Sequence, residues 1–355
     1  MRLVLIAAGV SLLASLILTP LLAKWLRQLG LAQAIRQSTT DIHYPDHEAK
    51  VGTPSMGGLA FLAALTLGYS VAHLLTWRAP SYAALLAFGL TFALAGVGLA
   101  DDYLKIFKQR STGIRARTKL IGQAVAAVPF AWLAMQSPNP GEIAPASMAI
   151  SFIRDTDLVL PTFLFIVWIW FLVAATTNGV NLTDGLDGLA TGASVLTFGA
   201  YTIISLWQYG QSCAFGETPT CYTVADPFDL AVFSAAFAAA LFGFLWYNTS
   251  PANIFMGDTG SLAIGGGIAA LAIMTRTELL LPLMALLFVI TSLSVILQVG
   301  SFKLTGKRIF RMAPLHHHFE LMNWQEVTIV IRFWMIHGFG VALAVALFYA
   351  EWVRQ

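Results

Sequence analysis

Asp101 and Asp102 are adjacent, Asn181, Asp184 and Asp187 recur at intervals of three, and Asp258 stands among the glycines of FMGDTGS. Neighbouring carboxylates repel, so such a pair is best tolerated beside a cation. Intervals of three place Asn181, Asp184 and Asp187 roughly along one face of a helix, with Gly185 and Gly188 leaving that face uncrowded. Five aspartates on one side of a protein suit a hard divalent cation such as Mg²⁺, which takes one or two carboxylates and completes its shell with water and phosphate. His316, His317 and His318 lie inside APLHHHFE. Mg²⁺ prefers oxygen, so these histidines are expected to donate hydrogen bonds to a phosphate or to order a turn. With Lys50, Lys105 and Lys119 added, the set suits phosphoryl transfer, where positioning and charge neutralisation do most of the catalysis.

Simpler structural roles compete for each of these residues. Lys105 lies one turn beyond Asp101 and would pair with it along a helix. Asp184, Asp187 or Asp258 would serve as an N-cap for the segment that follows it. One cap uses one aspartate, however, and leaves the others of the NLTDGLDG group to be explained.

The elements that must position these residues are membrane spans. Of 355 residues, 57% are hydrophobic and 11% charged, and the mean hydropathy is +0.74. That excludes an ordinary soluble domain, and a net charge of +2 gives no basis for a nucleic-acid partner. Apolar runs near 3–23, 56–75, 82–100, 119–135, 160–177, 189–208, 230–247, 261–275, 280–300 and 328–350 predict an all-α polytopic protein of about ten transmembrane helices. The glycine-rich run at 261–275 needs close packing by its neighbours. The N-terminal run reads as a retained first helix, since its positive charge mostly follows it. The whole chain, 1–355, reads as one transmembrane domain, with a short hairpin expected around SFIRDTDLVL.

Cations choose the orientation. Loops after odd-numbered spans hold Lys24, Arg27, Arg36, Lys50, Lys105, Lys108, Arg110, Arg115, Arg117, Lys119, Lys303, Lys307, Arg308 and Arg311, whereas the other side holds Arg2, Arg78, Arg154, Arg276 and Arg354. The positive-inside rule therefore places the odd loops in the cytoplasm and both termini outside. Every polar cluster then falls on the cytoplasmic face, which argues for one site at the membrane surface, open to a lipid phosphate and to a soluble nucleotide. Cys213 and Cys221 fall in an external loop, where either a disulfide or two free thiols is possible.

GTPSMGG, ADDYLK, NLTDGLDG, FMGDTGS and PLHHHFE, in this order and spacing, resemble the polyprenyl-phosphate N-acetylhexosamine-1-phosphate transferases over nearly the whole chain. APLHHHFE and KVGTPSMGG look like the branch that makes lipid I in the bacterial inner membrane. The resemblance implies a ten-helix, Mg²⁺-dependent enzyme that moves phospho-N-acetylmuramoyl-pentapeptide from UDP-N-acetylmuramoyl-pentapeptide to undecaprenyl phosphate and releases UMP. It also implies a homodimer. Carried onto this chain, it makes Asp258, with Asp184, the metal-binding acids, and Asp101 and Asp102 the paired acids that orient or deprotonate the lipid phosphate. Asn181, Asp184 and Asp187 fall near nucleotide and metal, Phe255 stacks on uracil, and Asn248 and Gln298 are nucleotide-site polar residues. His316, His317 and His318 form the His-rich loop, while Lys50 and Lys119 are basic site positions. Ser55 stands where many members have Thr, so the hydroxyl is kept. The alternatives are an N-acetylglucosamine-1-phosphate transferase of the same family and a secondary transporter, although transporters usually hold their acids near mid-bilayer.

Overall fold

A computed structural model describes residues 1–30, 52–107, 113–137, 139, 142–216 and 220–354. Lys50 lies outside the described residues. The elements in chain order are α1 (Arg2–Gln28), α2 (Gly58–Thr76), α3 (Tyr82–Phe107), α4 (Ala116–Ala134), β1 (Ala149–Ser151), β2 (Asp155–Val159), α5 (Thr162–Thr183), α6 (Leu189–Gly210), α7 (Pro227–Asn248), α8 (Gly257–Met274), α9 (Leu281–Met284), α10 (Leu286–Thr305), α11 (Leu315–Glu320) and α12 (Glu326–Arg354). Among the described residues, nine helices are long and apolar enough to cross a membrane, which makes this an all-α, multi-pass membrane protein.

Two expected spans differ in detail. The run at 119–135 forms α4, whose 19 residues make it about 28 Å long. Arg117, Lys119 and Gln123 in its first two turns keep it out of the nine apolar spans. The run at 280–300 is broken at Ala285 into the single turn α9 and the long helix α10. His337, fully buried on α12, accepts the Leu287 N–H at 3.3 Å, so a side chain from another helix satisfies a donor of the restarted helix.

The glycine-rich α8 is the axis of the bundle. Every residue from Asp258 to Met274 is buried, and α3, α5, α2 and α6 all pack on it. A Cβ on Gly265 would overlap the backbone of Thr177 on α5, so hydrogen there is what lets those two helices touch. At the periphery, α1, α10 and α12 turn Leu5, Leu13, Ile296, Leu297, Met335 and Phe339 outward, as helices facing hydrocarbon do.

β1 and β2 pair antiparallel as the expected hairpin. It lies toward the end of the bundle opposite Asp101 and Asp102, where a disulfide joins Cys213 to Cys221. Arg154 gathers this end together. Its guanidinium donates to the carbonyls of Thr220 and Cys221, pairs with Glu351 of α12 at 2.9 Å and lies over the Tyr222 ring.

Candidate active site at the N-terminus of α8

Asp258 sits in the first turn of α8, and glycines let its neighbours close on it. A Cβ on Gly98 of α3 would overlap the Asp258 carbonyl, and one on Gly58 of α2 would overlap the backbone of Gly260. Gly257 takes φ +76°, with the Ser55 hydroxyl and the Asp102 carboxylate packed against it. The start of α8 is thus wedged into a slot between α2 and α3.

Asp102 fixes it there. Its Oδ1 accepts the Asp258 N–H at 2.9 Å, while its Oδ2 accepts the Thr259 N–H at 2.8 Å and the Thr259 hydroxyl at 2.6 Å. This carboxylate caps α8 from a different helix, which meets orphan donors of the first turn and complements the helix dipole. The cap that local sequence would assign to Asp258 therefore comes from Asp102, and the Asp258 side chain is left for other partners.

Those partners are mostly cationic. Lys105 Nζ lies 2.6 Å from Asp101 Oδ2 and 2.9 Å from Asp258 Oδ1, bridging the two acids. Lys119 Nζ, from α4, lies 2.5 Å from Asp258 Oδ2 and 3.1 Å from Asn181 Oδ1. Asn181 Nδ2 donates to Asp258 Oδ1 at 3.0 Å and to Ser261 Oγ at 2.9 Å. Asp101 Oδ1 accepts the Ile114 N–H at 2.5 Å, and a Cβ on Gly113 would overlap that carboxylate. Buried carboxylates at this density are tolerable only when paired and hydrogen-bonded in this way.

The remaining expected residues form a rim. Asp184 caps the C-terminus of α5; burial, and after it the charges of Asp258, Asp102 and Asp187, push its carboxyl up to about 8. Asp187 accepts the Ala252 N–H at 3.0 Å, and its own N–H donates to Glu326 at 2.8 Å. Asn248 accepts from the Thr191 hydroxyl at 2.6 Å and donates to the Ile254 carbonyl at 3.0 Å, so it braces the loop before α8. Phe255, half-buried in that loop, pairs its backbone with Pro54 and Gly57. The His316 ring lies over Gly185, where a Cβ would overlap it, which brings the His-rich helix α11 onto the NLTDGLDG turn. His317 pairs with Glu320 at 2.5 Å, and His318 accepts the Arg311 N–H at 3.1 Å. Gln298 accepts the N–H groups of Ile309 and Phe310 and donates to the Phe310 carbonyl, which fastens the loop leading to α11.

Residues 84–276 match the family glycosyl transferase family 4. Over their full lengths, the chain is 52% identical to the phospho-N-acetylmuramoyl-pentapeptide-transferase of Streptomyces griseus. It is 54% identical to the enzyme of that name from Kineococcus radiotolerans and 51% identical to the one from Cutibacterium acnes, each over 99% of both chains. The chain belongs to the phospho-N-acetylmuramoyl-pentapeptide-transferase family. It is therefore an enzyme, a phosphoglycosyl transferase.

Within this transferase, one hydrogen-bonded group joins Asp101, Asp102, Lys119, Asn181 and Asp258. Around it, Asp187, Gln298 and His318 bind neighbouring loop backbone, Asn248 joins α6 to the loop before α8, and His317 pairs with Glu320 within α11. Lys105 reads in sequence both as a helical partner for Asp101 and as one of the site cations, and in the fold it links Asp101 to Asp258. The signal was its one-turn spacing from Asp101, with nothing local to announce Asp258. Ser261, Thr259 and Thr191 were not singled out, because their partners lie on other helices.

The donor set fits Mg²⁺. Asp258, Asn181 and Ser261 offer hard oxygen, and the oxygens of Asp258 already face positive charge. Among the described residues, no three His, Cys, Asp or Glu side chains converge as a closed metal cage. Mg²⁺ needs none, since water and substrate phosphates usually complete its shell.

Proposed function

We propose that this transferase moves phospho-N-acetylmuramoyl-pentapeptide from UDP-N-acetylmuramoyl-pentapeptide to undecaprenyl phosphate, giving lipid I and UMP at the cytoplasmic face of the bacterial inner membrane. The observation that carries this reading is the pairing of Asp258 with Lys105, Lys119 and Asn181 at the start of a buried helix. That arrangement is suited to holding a pyrophosphate beside a cation. Full-length relatives bearing this activity in their name support the sugar and the lipid.

Asp258, with Asp184 at the rim, would hold Mg²⁺, which supplies charge neutralisation on the pyrophosphate. Lys105 and Lys119 carry ammonium groups that face the same anion. An oxygen of the lipid phosphate attacks the phosphorus bearing the sugar, the bond from that phosphorus to the bridging oxygen breaks, and UMP leaves with the bridging oxygen. A phosphate monoester has a second pKa of about 6, so the attacking oxygen is mostly deprotonated at neutral pH and needs little general base. Asp101 therefore acts by orientation, through Lys105. Asp102, fully occupied with the α8 cap, positions Asp258 without meeting substrate. Phe255, exposed on one side in the loop before α8, offers a ring to uracil, and the α11 histidines offer donors to a phosphate.

The test follows UMP release by the purified protein in detergent with undecaprenyl phosphate. Release from UDP-N-acetylmuramoyl-pentapeptide that stops with a chelator is the expected result. Release from UDP-N-acetylglucosamine alone would overturn the sugar assignment and leave the metal argument standing. Release from neither would overturn the proposed donor and acceptor.

A further inference from the structure

Lys119 Nζ sits between Asp258 Oδ2 and Asn181 Oδ1, at 2.5 Å and 3.1 Å. Two oxygens converging on one positive atom describe a cation position, and an ammonium is a monovalent cation on a flexible stem. Lys105 differs in one respect. It holds Asp258 Oδ1 at 2.9 Å but keeps a second carboxylate, Asp101, at 2.6 Å. Among the described residues, the partners of the Lys119 ammonium are Asp258 and Asn181. If Asp258 were taken by another cation, Lys105 would retain an anion and Lys119 would not.

We propose that the Lys119 ammonium is a placeholder for the divalent cation, leaving Asp258 and Asn181 when the metal enters and turning to the substrate pyrophosphate, while Lys105 stays tethered to Asp101. This rests on the metal-dependent reading above. Its thermodynamic content is a linkage. Metal alone must displace an ion pair and strand an ammonium, whereas metal with a pyrophosphate gives that ammonium a new anionic partner. The two ligands therefore favour each other's binding through Lys119, by a coupling that is reciprocal. Release of Lys119 also frees the Asn181 carbonyl oxygen as a second hard ligand beside Asp258, while the Asn181 amide stays fixed by Ser261.

The experiment pairs two readouts on the full-length protein in detergent, without nucleotide. Electron paramagnetic resonance counts bound Mn²⁺, and brief acylation by a water-soluble amine-reactive ester, read by peptide mass spectrometry, measures access to each lysine. Mn²⁺ should raise acylation of Lys119 by about ten-fold, the change that corresponds to about 1.4 kcal/mol of lost pairing. Lys105 should change much less, and Lys303 and Lys307 not at all. Lys119→Met should bind Mn²⁺ more tightly than the wild type, and Asp258→Asn should leave Lys119 reactive with or without metal. Mn²⁺ bound stoichiometrically with Lys119 acylation unchanged, or Lys119→Met binding Mn²⁺ no more tightly, would overturn the placeholder and spare the metal reading. Absence of any Mn²⁺ binding, in wild type and Lys119→Met alike, would overturn both.

Discussion

The two ends of the bundle handle buried charge in opposite ways. Around Asp258, two lysines from different helices share one carboxylate, and the group is held by backbone approaches that only glycine permits. At the other end, Arg154 with Glu351, and His73 with Asp229, are each locked by carbonyls, hydroxyls or a covalent bridge nearby. Asp229, for example, accepts from His73, from the Tyr69 hydroxyl and from the Ser81 N–H at 2.7 to 2.9 Å. The first arrangement shares two ammoniums between Asp101 and Asp258, with Asp102 spent on the α8 cap, so an entering ligand can regroup it. The second is satisfied within the protein. Charge density alone therefore does not mark the site; what marks it is charge whose partners would be better served by a ligand.

This contrast predicts a separation of effects, and the largest lies at Asp258. Asp258→Asn should cut turnover by about 10³-fold, the scale on which preorganised electrostatic groups contribute, with little loss of thermal stability. A large fall in melting temperature with turnover kept would mean that Asp258 is structural like Asp229. Asp102→Asn should damage both properties, since an amide cannot accept from Asp258 N–H and the two Thr259 donors together. A loss of about 2 kcal/mol of stability is expected for a buried charged cap. Turnover should fall through kcat more than KM, and normal stability with lost turnover would return Asp102 to a direct role.

The opposite end should show the reverse. Cys213→Ser opens the disulfide to Cys221, eight residues away. Closing so short a loop is worth about 2.5 kcal/mol on the chain-entropy view. The melting temperature should drop, while turnover measured well below it stays within about two-fold, because single changes at distant sites act independently. Equal losses in both would show that the two ends communicate.

How much of this could be read from the chain depends on how far each partner lies in sequence. Apolar runs and lysine-rich loops mark the spans and their common polar face, because hydrophobicity and charge bias are local properties. The aspartates at span ends were visible for the same reason, and so was the hairpin. The division of labour between Asp101 and Asp102 was not, since it depends on which of two adjacent side chains points at a helix 156 residues away. Asn248 and Gln298 read as ligand-facing; Asn248 also bonds to Thr191 on α6 and to the Ile254 carbonyl, and Gln298 to the loop before α11, and only the folded chain shows which groups stand nearby. The break at Ala285 was hidden too, because the donor it exposes is met by His337, which reads in sequence as one histidine in an apolar helix.

The smallest expected effect concerns Glu278, in the loop after α8 at the disulfide end. Burial pushes its carboxyl from the ordinary 4.5 up to about 7, against the downward pull of the Ser151 N–H, the Trp168 N–H and Arg276. The folded protein therefore keeps a proton that the unfolded chain releases above about 4.5, and stability falls as pH rises from there through about 7, then levels off. Glu278→Gln imitates the protonated form and keeps an oxygen for the Ser151 and Trp168 donors. Near pH 5 the variant should melt close to the wild type, and at pH 8 it should melt several degrees higher. Parallel melting curves across that range would mean that Glu278 is ionised in the fold. The disulfide end would then also hold a charge that its neighbours fail to satisfy, and the contrast between the two ends would narrow.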